Sequence, residues 1–159
     1  MPEGPEVRRY ADFLESKIKG KRLSCVEIVS GRYKKHGPFS GYENIPLNVV
    51  IRGVECYGKL LYISLIDEND IETFLLSTLG MSGAWQSKPT KHNRVTLRLH
   101  DGSSVYYNDI RNFGTLKYVS LDELQKKIDK MGFDCLQYTW HPDNFNHKMD
   151  KKPNKTIAE

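Results

Sequence analysis

Arg94-Val95-Thr96-Leu97-Arg98-Leu99-His100-Asp101-Gly102-Ser103-Ser104-Val105-Tyr106-Tyr107 is the stretch that decides the fold. Val95, Leu97 and Leu99 alternate with polar neighbours, and a side-chain period of two means an extended strand with one buried face. Asp101-Gly102 is a hairpin signal, since the turn it makes needs positive φ, and Ser104 to Tyr107 is the returning strand. Working outward, Leu23 to Val29, Leu47 to Tyr57, Leu60 to Ile66, Glu72 to Leu79 and Thr115 to Val119 also read as strands, the second and third of these hinged at Gly58-Lys59. Two helices bracket them. Pro5 to Ile18 sets Val7, Tyr10, Ala11, Leu14 and Ile18 at helical spacing toward a core, leaves Arg8, Arg9, Asp12, Glu15 and Lys19 on the wet side, and stops at Gly20. Leu121 to Met131 turns Leu121, Leu124 and Ile128 inward and carries Asp122-Glu123 in its first turn, where acids suit the helix dipole. The class is therefore α+β, mainly β: an antiparallel β-sandwich or barrel-like domain of about seven to eight strands flanked by two α-helices.

Gly31 to Pro46 reads as a loop, with Arg32, Lys34, Lys35 and His36 among Tyr33, Phe39 and Tyr42. Basic residues mixed with aromatics suit a nucleic-acid contact, and a solvated loop is the simpler account. After Gly132 the character changes. Residues 134–159 are polar, contain Pro142 and Pro153 and end rich in lysine. The expected division is a globular domain over 1–133, then a linker leading into the start of something further. No internal repeat and no low-complexity block interrupts the chain.

The 159 residues suffice for one domain with a real core. No apolar run approaches the ~18 residues of a membrane span, so no membrane partner is expected. The start lacks a basic-then-apolar signal pattern, and Cys25, Cys56 and Cys135 are scattered without zinc spacing. Reduced thiols in an intracellular compartment follow as the expectation, nucleus or cytoplasm depending on the organism. The five histidines, His36, His92, His100, His141 and His147, show no ligand spacing, so no metal site is expected in this chain. Lys plus Arg exceeds Asp plus Glu by 24 to 20, a net +4 that permits a polyanionic partner without requiring one.

Four short elements carry chemistry. In Met1-Pro2-Glu3-Gly4-Pro5-Glu6-Val7, removal of the methionine would leave Pro2 as a secondary amine with a reference pKa near ~8. Such an amine attacks a sugar or aldehyde carbon and gives an iminium directly. Glu3 stands beside it to move protons, and Glu6 falls in the first helical turn. Lys59, at a hinge between apolar strands, can present its ammonium to a phosphate. Gly80-Met81-Ser82-Gly83 sets an apolar side chain on a glycine-flanked turn. Asp109-Ile110-Arg111-Asn112-Phe113-Gly114 sets an arginine and a phenylalanine on another. Apolar wedges and an arginine are what a protein needs to fill the gap when a base leaves a duplex. Each element alone also reads as ordinary capping, a surface lysine or turn packing. The set of four is what argues for function.

In this combination and order the chain resembles the N-terminal catalytic domain of the formamidopyrimidine-DNA glycosylase / endonuclease VIII family. The matching pieces are Pro2 to Val7, Gly58-Lys59, Leu79 to Gly83 and Asn108 to Gly114, with weaker likeness at Lys91-His92 to Leu97 and Gly132-Phe133-Asp134. The resemblance implies a bifunctional DNA glycosylase and abasic-site lyase of base excision repair, excising oxidised bases through a proline Schiff base followed by β/δ-elimination. It implies Pro2 as nucleophile, Glu3 as proton donor to the sugar, and Glu6 as electrostatic support. It also implies Lys59 on a phosphate beside the lesion, and Met81, Arg111 and Phe113 in the gap left by the everted base. The implied partner is double-stranded DNA carrying oxidised bases or abasic sites, bound by a monomer.

The sequence departs from the family pattern in places. Thr78 stands where members often carry a histidine, and Ile110 and Asn112 replace the second and fourth residues of Asp-Pro-Arg-Arg-Phe-Gly. These changes, with Trp85, blur the two family branches, so the resemblance does not separate oxidised purines from oxidised pyrimidines. The family continues into a helix–two-turns–helix domain and a zinc or zincless finger. Residues 134–159 would only begin that domain, so any zinc would lie outside this chain. Weak DNA binding and poor base excision are the expectation for the piece by itself. Two other readings stay open: a non-catalytic module for damaged or single-stranded DNA, indifferent to Pro2→Gly, and a β-sandwich interaction domain without salt-dependent DNA affinity.

Overall fold

A computed structural model describes residues 4–131. Pro2 and Glu3, and the segment from 132 to 159, lie outside the described residues, as does the boundary expected near residue 133. The chain runs α1 (Gly4–Ile18), β1 (Leu23–Ile28), α2 (Arg32–Lys35), β2 (Val50–Tyr57), β3 (Leu60–Ile66), β4 (Glu72–Thr78), β5 (Gly83–Gln86), β6 (Asn93–Leu99), β7 (Ser104–Asp109), β8 (Thr115–Ser120) and α3 (Leu121–Met131). Eight strands form two antiparallel four-stranded sheets, ordered β1-β6-β7-β5 and β2-β3-β4-β8. The mainly β sandwich with flanking helices is the class expected from the hydrophobic pattern. Among the described residues no helix is long and apolar enough to cross a membrane.

The sheets share one core. Val26, Val95, Leu97, Val105 and Tyr107 from the first meet Ile51, Leu61, Ile63, Leu65, Leu75 and Leu116 from the second. Val7, Ala11, Leu14 and Ile18 of α1 join them, and Tyr10 packs at the margin. A second, smaller core lies on the other face of β3 and β4, where Leu60, Tyr62, Phe74 and Leu76 meet Leu124 and Ile128 of α3. That explains why Leu60-Leu61-Tyr62-Ile63 shows no alternation. Odd positions enter the sandwich, even ones the space under α3, and both faces of the strand are dry. Burying each such aliphatic side chain contributes about 1.5–3 kcal/mol.

The remaining differences from expectation have local causes. Helix α1 ends at Ile18 and is stopped at Gly20 as expected, where φ is +83° and the N–H donates to Ile51 O at 2.7 Å. Glu15, expected on the wet side of α1, instead accepts a hydrogen bond from Val54 N at 2.8 Å. β2 is an edge strand with a register shift between Ile51 and Gly53, and the carboxylate covers the N–H turned outward there. β2 begins at Val50 rather than Leu47, because Asn48 takes a left-handed φ of 66° and Leu47 stays exposed. The segment expected as a plain loop holds α2 and a 3₁₀ turn at Tyr42–Asn44. Its aromatics turn inward. Phe39 is buried, edge-to-face with both Tyr33 and Tyr42. Tyr42 donates to Val26 O at 2.8 Å. Those rings therefore serve packing, while Lys34, Lys35 and His36 face out. At α3, Ser120 and Glu123 form a reciprocal capping box, Glu123 N donating to Ser120 Oγ at 3.2 Å and Ser120 N to Glu123 Oε1 at 3.0 Å.

Candidate nucleic-acid interface

Strand register gathers the chemistry-bearing elements at one end of the sandwich. Leu60 pairs with Thr78, and Thr78 with Thr115, so the β2–β3 turn, the 79–83 turn and the end of the 109–114 turn lie side by side. Gly83 pairs with Asp109 in the other sheet, which closes the group across the sandwich. The β2–β3 turn is the two residues Gly58 and Lys59, with Gly58 at φ +60°. Lys59 is exposed at its tip. Helix α1 runs antiparallel to β2, with Gly20 at Ile51 and Glu15 at Val54. Its first turn, which carries half-buried Glu6, therefore points toward the Lys59 end.

Asp109 clamps the two turns. It is fully buried and its carboxylate accepts four hydrogen bonds. Oδ1 takes Ser82 Oγ at 2.6 Å and Asn112 N at 3.0 Å, while Oδ2 takes Tyr107 Oη at 2.9 Å and Gly114 N at 2.9 Å. Ser82 Oγ in turn accepts Arg111 N at 2.8 Å, so the Met81 turn and the Arg111 turn are stitched by one hydroxyl. Burial above all, then the adjacent Asp109 carboxylate, pushes the Tyr107 phenol far above its ordinary range, so it stays a donor. Arg94 braces the same turn from below, donating from Nε to Asp109 O at 2.9 Å and from Nη2 to Ile110 O at 3.3 Å. Arg32 Nη2 donates to Gly114 O. The turns also need their glycines. A Cβ on Gly80, at φ +61°, would sit 2.7 Å from Gly114 N, and one on Gly114 would overlap Tyr107 Oη at 1.6 Å.

What this rigid base displays is apolar and basic. Met81 is 47%, Phe113 57% and Ile110 64% exposed, with Arg111 exposed among them. Leu47 and Ile71 are as exposed elsewhere, and what sets Met81, Ile110 and Phe113 apart is their grouping on two turns stitched by hydrogen bonds. Met81, Arg111, Phe113 and Lys59, singled out from sequence, thus share one end, and Ile110, a departure from the family pattern, adds an apolar tip. Thr78 is tied inward, its Oγ1 2.6 Å from Thr115 Oγ1 and accepting Thr115 N at 3.1 Å. The bracing roles of Asp109, Ser82 and Arg94 have no counterpart in the sequence reading above, and Arg32, expected as a basic loop residue that could touch a nucleic acid, instead braces the turn at Gly114 O. A signal for Asp109 existed, because the alternation of Val105 and Tyr107 places residue 109 inward, where a carboxylate needs donors.

The family model of the formamidopyrimidine-DNA glycosylase N-terminal domain matches residues 1–116 of the chain. The chain belongs to the formamidopyrimidine-DNA glycosylase family. Among relatives, it is 32% identical over 129 residues to the formamidopyrimidine-DNA glycosylase of Streptococcus pneumoniae, covering 78% of this chain and 45% of that protein. It is 31% identical over 122 residues to that of Exiguobacterium sibiricum, covering 74% and 42%. Among solved structures, the Lactococcus lactis Fpg in complex with abasic-site DNA superposes with a TM-score of 0.68 at 25% identity, covering 81% of this chain and 48% of that one. A complex of the same bacterium's protein with oxidised-pyrimidine DNA gives 0.68 at 26% identity over the same shares. The chain thus spans about half the length of the curated relatives it matches.

Proposed function

We propose that the chain is the catalytic half of a bifunctional DNA glycosylase and abasic-site lyase of base excision repair, acting on duplex DNA with oxidised bases or abasic sites. The observation that carries this reading is the Asp109-clamped pair of turns presenting Met81, Arg111 and Phe113 beside Lys59 at one end of a family domain. A wedge of this kind occupies the place of an everted base, and the guanidinium satisfies the orphaned partner. The solved relatives bound to abasic and oxidised-pyrimidine DNA support the same class of partner.

In the proposed reaction the lone pair of Pro2 nitrogen forms a bond to C1′ of the damaged nucleotide. The C1′–base bond breaks, and the base leaves with that electron pair and takes up the proton that the Pro2 nitrogen loses. Glu3 protonates the deoxyribose ring oxygen as the ring opens to an iminium. The iminium acidifies C2′, loss of a C2′ proton expels the 3′ phosphate, and a second elimination removes the 5′ phosphate. Glu6 steadies the developing positive charge, and Lys59 holds a phosphate beside the lesion.

The test is strand cleavage of a duplex with one oxidised base, alongside a single strand with one abasic site. Phe113→Ala and Met81→Ala should lower kcat/KM on the duplex at least tenfold and leave the single strand within about twofold, since no gap forms there to be filled. Equal losses on both substrates would remove the gap-filling role. A wild-type chain that binds lesion DNA while cutting neither substrate would favour the non-catalytic binding module.

A further inference from the structure

Beside the wedge lies a cleft of about 630 Å³ lined by Val29, Ser30, Gly31, Lys34, His36 and Asn112, with Arg32 and Lys35 completing it. Lys34, Lys35 and His36 are all exposed. The packing of Phe39, Tyr33 and Tyr42 fixes the segment behind them, so the cations sit on a stiff base. Arg32 is held by Gly114 O and by the ring of Tyr33, whose centroid is 5.2 Å from its guanidinium carbon. The cleft is continuous with the wedge itself. Asn112, which keeps a left-handed φ of 57°, lies against Gly31 so closely that a Cβ there would meet Asn112 Nδ2 at 2.8 Å.

The position matters more than the charge. Along the sandwich end the order is Lys59, then Thr78 and Thr115, then the 109–114 turn, then Gly31 and the basic cleft. Positive charge therefore flanks the wedge on both sides. A duplex has a phosphate backbone on each side of a base pair, and a wedge entering where a base was has one strand on either hand. Resting on the function proposed above, which gives Lys59 to the lesion strand, we infer that the Lys34-Lys35 cleft binds phosphates of the undamaged strand flanking the orphaned base. No base is read there. The contact holds that strand while its partner is opened, and it sets affinity and salt dependence rather than chemistry.

The experiment measures equilibrium binding of the 159-residue chain to abasic duplexes in which single phosphates are replaced by neutral methylphosphonates, strand by strand. Wild type should lose several-fold affinity at one or two undamaged-strand positions near the orphan. Lys34→Ala/Lys35→Ala should lose that sensitivity and keep the lesion-strand one. The slope of log K against log[salt] should fall by about 2 for this pair. It should not fall for Lys17→Ala/Lys19→Ala, exposed lysines at the far end of α1. Undamaged-strand sensitivity that is absent in wild type, or that survives in the Lys34/Lys35 variant, overturns the inference. So does an equal slope change in both pairs. Borohydride trapping run in parallel separates the two claims: no covalent complex from any variant would sink the lyase reading, and the phosphate map would still decide the cleft.

Discussion

Asp109→Asn is the sharpest perturbation of the wedge, because it changes almost no volume. The carboxylate accepts from four donors, two of which, Asn112 N and Gly114 N, are backbone groups that cannot reorient. Whichever way the amide is placed, its NH₂ faces one backbone N–H and one hydroxyl. At least one buried donor loses its acceptor, and a second hydrogen bond must be rebuilt. Hydrogen bonds to a charged acceptor contribute about 1.5–3 kcal/mol each, so the loss should be about 3 kcal/mol or more. For a domain of this size that lowers the unfolding midpoint by on the order of 10 °C. Urea unfolding followed by circular dichroism measures it, with the denaturant midpoint moving and the slope unchanged. A variant within about 0.5 kcal/mol of wild type would refute the clamp, since that is the ordinary effect of a surface change.

Gly114→Ala would bring a methyl into Tyr107 Oη and Thr78 O, and should yield no cooperatively folded protein, whereas Gly102→Ala, with no atom within 4 Å, should cost only the roughly 1 kcal/mol of its left-handed backbone; thermal scans of both compare them. Asp101 is held well below the usual carboxylate range, first by Ser103 and then by Lys21 at 2.9 Å. A depressed folded value means the contribution is whole above the unfolded pKa of about 4 and fades as pH falls below it. The stability gap between wild type and Asp101→Asn should thus stay constant from neutrality to about pH 4 and narrow below, and a gap that widens on acidification would contradict the assignment.

The β-sandwich was legible where burial is one-sided. Val95, Leu97 and Leu99 alternate with polar residues and all three are buried, although of the residues between them only Arg98 is exposed and Thr96 is a buried polar side chain. β5 was not legible, because Gly83-Ala84-Trp85-Gln86 is too short for a period and emerges from a glycine turn. Its identity is set by pairing with β7, not by its own pattern. Of the candidate site, Met81, Arg111, Phe113 and Lys59 could be picked out as side chains with a use for nucleic acid. Of the groups that hold them, Asp109 alone left a signal, in the alternation of Val105 and Tyr107. Arg94 and Arg32 look like surface arginines in sequence, and only tertiary structure aims them at the carbonyls of residues 109, 110 and 114. Helical periodicity placed Glu15 toward solvent because it could not register the bulged edge strand beside it.

We propose that the imino nitrogen of Pro2 captures a deoxyribose carbon. The direct measurement is borohydride trapping on an abasic duplex, followed by peptide mass spectrometry of the adduct. The expected result is a covalent complex whose modified peptide begins at Pro2, abolished in Pro2→Gly and retained in Lys59→Ala. An adduct mapped to a lysine, or undiminished trapping in Pro2→Gly, would contradict it.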